Sequence, residues 1–182
     1  MSKKKIAVLV GSLRKESFNK KVAHQLISLA PDSLELEIVE IGHLQHYNED
    51  FDQNSPSEYV NFREKIKSAD GFLFVTPEYN RSIPGVLKNA LDIASRPYGQ
   101  NMWSGKPGAV VSVSISSIGG FGVNHILRQS MVFLNVPMMQ QPEAYVGNAY
   151  SLFDENGNLL SDDTRNFLKN YIDAYAAWVN KF

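Results

Sequence analysis

Apolar residues cluster along the chain in continuous runs at positions 6–10, 34–41, 71–75 and 109–113, with a weaker run at 136–139, each bounded by turn-forming residues. Short unbroken runs of this kind suit strands buried on both faces of a parallel sheet. Between them the apolar positions recur at helical spacing. Val22, Leu26 and Leu29 share one face; Tyr59, Phe62 and Ile66 share a second; Val86, Ala90 and Ile93 share a third; Ile126, Ser130, Phe133 and Leu134 do so in part. The pattern predicts a last helix over 162–179, with Phe167, Tyr171, Ala174, Tyr175 and Trp178 as its buried stripe.

Five strands alternating with five helices require right-handed crossovers, which lay helices on both faces of the sheet. The expected architecture is α/β, a three-layer αβα sandwich around a five-stranded parallel sheet. A six-stranded dinucleotide-binding sheet needs a longer chain, so the strand order 2-1-3-4-5 fits better. With 182 residues and no linker, repeat or low-complexity segment, residues 1–182 are expected to form one domain. The stretches 47–57, 97–105 and 148–160 read as surface loops, the last with a turn signal at Asn156-Gly157.

Composition narrows the chemistry. Hydrophobic residues at 43% and charged residues at 20% match ordinary globular proteins rather than disordered ones. There are no cysteines, which excludes disulfides, thiolate metal sites and a cysteine nucleophile, so redox work would need a borrowed cofactor. A net charge of −1 leaves no electrostatic footprint for nucleic acid, and Lys3, Lys4 and Lys5 read as a solubilising lead into the first strand. That opening, MSKKK followed by IAVLV, is too short an apolar run for a signal core or a membrane span, and a cytoplasmic protein is expected. His24, His43, His46 and His125 are isolated, with no spacing that assembles a metal site.

Ligands of such sheets bind beyond the carboxyl ends of the strands, where the strand order reverses. The positions to examine therefore follow Val10, Val75 and Val113. After Val10 comes GSLRKESFN: Gly11 permits a tight exit, Ser12, Ser17 and Asn19 offer short polar side chains around a helix start, and Arg14 adds a planar cation. The loop is neither GxGxxG nor GxxxxGK[ST], which points to a terminal monophosphate. Two readings fit it equally: a phosphate cradle, or Ser17 as a simple helix cap beside a solvated Arg14. After Val75 comes TPEYNRSIPG, longer than most βα loops and stiffened by Pro77 and Pro84. Such a loop can present backbone amides and an aromatic ring to the edge of a planar heterocycle. After Val113 comes SISSIGGFG, where small residues allow close approach of a flat ligand; the competing reading is a flexible Gly/Ser connection.

At these residues the chain resembles the NADPH-dependent FMN reductase family, with its quinone, azo-dye and chromate-reducing members. GSLRKESFNKKVA resembles the family's phosphate loop and PEYNRSIPGVLKNALDIASRP its flavin loop, and GKPGAVVSVS, LRQ and QPEAYVG continue the match along nearly the whole chain. The resemblance implies a flavodoxin-like fold and noncovalent FMN. It places the phosphate at Ser12, Arg14, Ser17 and Asn19, with Phe18 beside them, and the isoalloxazine against Pro77, Glu78, Tyr79, Asn80 and Arg81, with Ser114 closing the other side. Glu16 stands where a glycine is often found.

The implied activity is an FMN-dependent NAD(P)H oxidoreductase, taking electrons from NADPH or NADH and passing them in a ping-pong two-electron cycle to a small-molecule acceptor such as a quinone or free flavin. No side chain need act as a catalytic nucleophile, since the cofactor does the hydride chemistry. Asp92 reads as a support for its loop, and Met138 and Met139 as core fillers. Relatives associate through the region of helices 85–95 and 122–134, so a homodimer or homotetramer is expected, with no nucleic-acid or membrane partner. The rival reading is a flavodoxin-type electron carrier, which shares the fold; a phosphate-ester binding module without redox activity is a third.

Overall fold

The computed structural model describes residues 3–182. Five strands, β1 (Lys4–Val10), β2 (Leu34–Ile38), β3 (Gly71–Thr76), β4 (Gly108–Val113) and β5 (Ala144–Val146), alternate with α1 (Phe18–Leu29), α2 (Ser57–Ser68), α3 (Gly85–Ala94), α4 (Phe121–Phe133) and α5 (Asp162–Val179). The sheet is parallel throughout, in the order β2-β1-β3-β4-β5. Alternate residues of the central strands feed two cores. Ile6, Val8, Val10, Leu73, Val75, Val111 and Val113 pack beneath α1 and α5. Ala7, Leu9, Phe72, Phe74 and Val110 pack beneath α2, α3 and α4. This is the three-layer arrangement expected of strands that are apolar on both faces.

The weak run at 136–139 is not the fifth strand. It touches β4 only through Met138, where the Gly108 N–H donates to Pro137 O and the Met139 N–H donates to Gly108 O. Pro137 has no N–H to extend the ladder. The strand itself is the three-residue AYV segment that follows Pro142. The run at 34–41 is also shorter as a strand, ending at Ile38, and its Glu35 and Glu37 lie exposed as befits a sheet edge.

The α4 stripe is rotated from the expected one. Val123, Asn124, Leu127 and Met131 are buried, whereas Phe133 is 91% exposed and Val132 80% exposed. The reason is polar: Asn124 turns inward to donate to Ala144 O at 3.2 Å and Ser112 Oγ at 3.3 Å, while its Oδ1 accepts from Arg128 Nε. In α1 Leu29 is only partly buried, and Ala23 joins Val22 and Leu26 in its place; in α3 Val86 yields to Leu87. The α5 stripe holds at Tyr171 and Tyr175, but Leu168 and Ile172 replace the exposed Phe167 and the partly buried Ala174 and Trp178. Of the expected surface loops, 97–105 carries a core residue. Trp103 is fully buried, stands edge-on to Phe72 at 4.8 Å and donates from Nε1 to Leu91 O. In 148–160 the Asn156-Gly157 turn forms, with Phe153 and Leu159 bridged across it.

Among the described residues no helix is long and apolar enough to cross a membrane, and no group of three or more His, Asp or Glu side chains could hold a metal ion.

Candidate functional site

The three loops converge on a cleft of about 230 Å³ at the carboxyl edge of the sheet. Its first wall begins where β1 ends. Gly11 donates its N–H to Val75 O, and a Cβ there would lie 2.7 Å from Thr76 Oγ1, so only glycine lets the two loops leave the sheet this close together. The chain then turns into α1, whose N-cap is Ser17; its Oγ accepts from the Lys20 N–H at 3.2 Å. No acidic residue occupies the first turn, leaving the positive end of the helix dipole unopposed. Glu16 lines a separate groove with Lys21 and His24, away from the cleft. Arg14 is exposed and lies 5.9 Å from the centre of the Phe18 ring.

Ser12, Arg14, Phe18 and Asn19 line the cleft; Ser17 does not, being 2% exposed beneath its own helix turn. Asn19 is 5% exposed and its Oδ1 has no hydrogen-bond partner. Buried polar atoms are nearly always paired, and an unpaired one costs about 1–3 kcal/mol. Among the described residues Asn19 Oδ1 is thus an acceptor without a protein donor.

The second wall is the loop after β3. Tyr79 and Ser82 exchange two backbone hydrogen bonds, N–H to O in each direction at 3.1 and 2.9 Å, closing a two-residue turn at Asn80 and Arg81. Both turn residues have positive φ, 51° and 63°. Asparagine tolerates this region, but arginine rarely adopts it, and such strain persists where the surroundings hold it in place. Pro77, Glu78 and Tyr79 line the cleft, while Asn80 and Arg81 do not; they form the tip of the turn beyond it. The Glu78 side chain is 9% exposed and uses both oxygens, Oε2 accepting from the Val123 N–H at 2.9 Å and Oε1 from Arg81 Nη1 at 2.9 Å.

The third wall follows β4 and is ordered rather than flexible. Ser114 accepts the Ser116 N–H on its Oγ and pairs with the neighbouring loop, its N–H to Val146 O and its O from the Ala149 N–H. Gly119 and Gly147 admit no Cβ, which would meet Tyr145 C at 2.7 Å and Ser117 O at 2.5 Å respectively. The loops after β4 and β5 are thus packed backbone to backbone.

Of the expected residues, Ser12, Arg14, Phe18, Asn19, Pro77, Glu78, Tyr79 and Ser114 meet in the cleft, and Ser17, Asn80 and Arg81 stand outside its lining. Val113, Ile115 and Ala149 line it as well. Val113 ends β4 and Ile115 belongs to the loop that follows it, where ligand contact is expected, but Ala149 lies in a short 3₁₀ turn inside a stretch that reads as surface loop, and no sequence signal singles it out. A buried bracket behind the cleft was also missed. Asn89 of α3 accepts the Tyr47 N–H at 2.7 Å and donates to Leu44 O and Gln45 O, strapping the segment after β2 to the helix. That segment touches the first wall, since a Cβ at Gly42 would lie 2.7 Å from Leu13.

The family described as NADPH-dependent FMN reductase matches residues 4–151. A quinone reductase of Pseudomonas putida is 62% identical over 96% of this chain and 94% of its own. A 2-hydroxy-1,4-benzoquinone reductase of a Burkholderia species is 51% identical over 96% of each. Among solved structures, the flavoenzyme FerB of Paracoccus denitrificans, an NAD(P)H:(acceptor) oxidoreductase, superposes with a TM-score of 0.92 at 40% identity and 98% coverage of both chains.

Proposed function

Since the chain belongs to the NADPH-dependent FMN reductase family and is an FMN-dependent NAD(P)H oxidoreductase of quinone or flavin acceptors, we propose that residues 1–182 work as one FMN-binding domain with the cofactor seated in the three-loop cleft. The observation that carries the placement is the unpartnered Oδ1 of Asn19, buried on the cleft wall beside the open N-terminus of α1. Ser12 and the first N–H groups of α1 supply hydrogen bonds to the phosphate, and Arg14 supplies a charge-assisted one. Asn19 Oδ1 accepts from a ribityl hydroxyl. Ser17 contributes indirectly, by holding the first turn open toward the cleft. Pro77, Glu78 and Tyr79 on one side and Ser114 on the other frame the planar ring.

When bound, FMN accepts and donates the hydride. The protein's share is to hold it and to shape the approach. The loops after β3 and β4 are braced by their own hydrogen bonds, Tyr79 with Ser82 and Ser114 with Val146 and Ala149, so the cleft walls need little reorganisation to receive the ring. Val113, Pro77 and Ile115 give the cleft apolar flanks that exclude water. Nicotinamide and acceptor both reach the ring through this cleft and visit it in turn, which gives ping-pong kinetics. The alternative of a one-electron carrier finds less support, because the relatives at 51–62% identity are named as reductases.

The proposal includes association. Phe133 and Val132 at the end of α4, with Phe121 at its start and Ile118 before it, present exposed apolar groups on one helix beside the cleft. A second copy covering this face would make a homodimer or homotetramer with cofactor sites near the interface. A cytoplasmic location, where reduced nicotinamide is supplied, belongs to the same reading.

The test is spectroscopic and kinetic. Purified protein loaded with FMN should bleach on anaerobic addition of NADPH or NADH and regain colour on addition of a benzoquinone, with parallel double-reciprocal lines in the steady state. A protein that takes up no FMN, or is bleached and then fails to pass electrons to any quinone or flavin, would refute the proposal. Light scattering at micromolar concentration checks the association, and a monomeric mass would remove it.

A further inference from the structure

Helix α4 starts without a cap of its own. Its N-cap is Gly120, in a left-handed conformation with φ 76°, and no side chain of the local sequence bonds to the first turn. Exposed first-turn N–H groups are normally satisfied by a Ser, Thr, Asp or Asn at the cap. Here the acceptor comes from 45 residues earlier in the chain: Glu78 Oε2 takes the Val123 N–H at 2.9 Å. The fit depends on Gly122, where a Cβ would approach the same oxygen to 2.9 Å. The other carboxylate oxygen holds Arg81, one of the two strained residues at the tip of the turn at 79–82. One buried carboxylate thus ties the start of α4, which anchors the third wall of the cleft, to the turn that forms the second.

We propose that Glu78 is a positioning residue: it latches the loop after β3 to the N-terminus of α4 and so fixes the spacing of two cofactor walls. The geometry assigns it this role because each oxygen already accepts one protein N–H, Oε2 from Val123 and Oε1 from Arg81. A negative charge at the positive end of a helix is favourable in itself, and a carboxylate holding two N–H donors resists being turned toward a ligand. Gly122 is the complementary half of the latch, and Arg81 is its exposed outer pin. The inference rests on FMN occupying the cleft as proposed above.

The experiment reads two quantities: the hydrogen-exchange rate of the Val123 amide in the FMN-free protein, and the FMN dissociation constant from fluorescence quenching. Glu78→Ala should speed Val123 exchange at least tenfold and weaken FMN about tenfold or more. Glu78→Gln keeps a carbonyl oxygen able to accept from Val123 but loses the acceptor for Arg81 and the charge at the helix end, and should fall between wild type and Glu78→Ala on both readouts. Gly122→Ala provides the test from the other side and covers the case in which Glu78→Ala does not fold. Helix propensity alone favours alanine over glycine there, yet crowding of Oε2 should make the variant resemble Glu78→Ala. Wild-type exchange and FMN affinity in Glu78→Ala or Gly122→Ala would overturn the latch. So would a Glu78→Gln as impaired as Glu78→Ala, because charge rather than the bond would then be the cause. If Val123 responded as expected in a protein that binds no FMN, the latch would stand and its cofactor role would fall.

Discussion

Asn89→Ala is the substitution whose cost can be worked most directly from the structure. The side chain is 7% exposed and makes three hydrogen bonds, accepting the Tyr47 N–H and donating to Leu44 O and Gln45 O. All three partners are backbone groups of one irregular segment with no strand or helix ladder to satisfy them. A neutral hydrogen bond contributes about 1 kcal/mol net, and each buried group left unpaired adds a penalty of about 1–3 kcal/mol. Gln45 O also accepts from the Tyr59 hydroxyl at 3.4 Å and Tyr47 is only partly buried, so this contact and water relieve most of that penalty. Alanine returns about 0.6 kcal/mol through its higher helix propensity. The net loss is about 2–3 kcal/mol, a sizeable share of the roughly 5–15 kcal/mol available to a protein of this kind. Urea unfolding should show it as a midpoint lowered by about 1 M at unchanged slope. Asn170→Ala, on the exposed face of α5, serves as the control and should stabilise slightly because only the propensity term remains. An Asn89→Ala midpoint within error of wild type would mean that the strap after β2 holds without its bracket, and would refute the reasoning.

Arg14→Ala removes an exposed cation from the cleft rim; FMN affinity should fall about ten- to hundredfold, the worth of a charge-assisted hydrogen bond of about 1.5–3 kcal/mol, while riboflavin, lacking the phosphate, binds both proteins alike in fluorescence titrations. Ser17→Ala should cost about 1 kcal/mol of stability through the lost cap; Ser17→Asp keeps an acceptor for the Lys20 N–H and should restore that stability while repelling the phosphate, so that denaturation and FMN titration move in opposite directions. Burial, and in second place the nearby Glu143 carboxylate, pushes the Tyr145 phenol up to about 12, and burial raises Tyr171 and Tyr175 further against ordinary values near 10. Between pH 10 and those raised values the folded state binds more protons than the unfolded one, so stability should decline as pH rises past about 10. Absorbance at 295 nm should then show Tyr171 and Tyr175 ionising only in the step that also abolishes the far-ultraviolet dichroism; titration of all eight tyrosines near pH 10 in folded protein would contradict this.

The strands that were legible in the sequence are those buried on both faces. β3 and β4 are buried at every position and β1 from Ile6 onward, so their composition alone marks them. β5 could not be found in this way, because three residues at an edge carry too little apolar content and the more hydrophobic run before it contains a proline. Helix faces were legible only where apolar spacing alone decides them. In α4 the inward turn of Asn124 and Arg128 is set by the carbonyls of Ala144 and Met139, partners that lie on other elements. The candidate site divides along the same line. Strand ends and the reversal of strand order identify three loops, and the small and polar residues in them identify a cradle. Which side chain faces the cradle is decided by what else competes for it. Ser17 is claimed by the Lys20 N–H next to it, a competition that the sequence itself discloses. Glu78 is claimed by the Val123 N–H, which only the packing of α4 against the loop after β3 brings within reach. Asn19 is the converse case: nothing among the described residues claims its Oδ1, and it is this acceptor that the proposed placement gives to the cofactor.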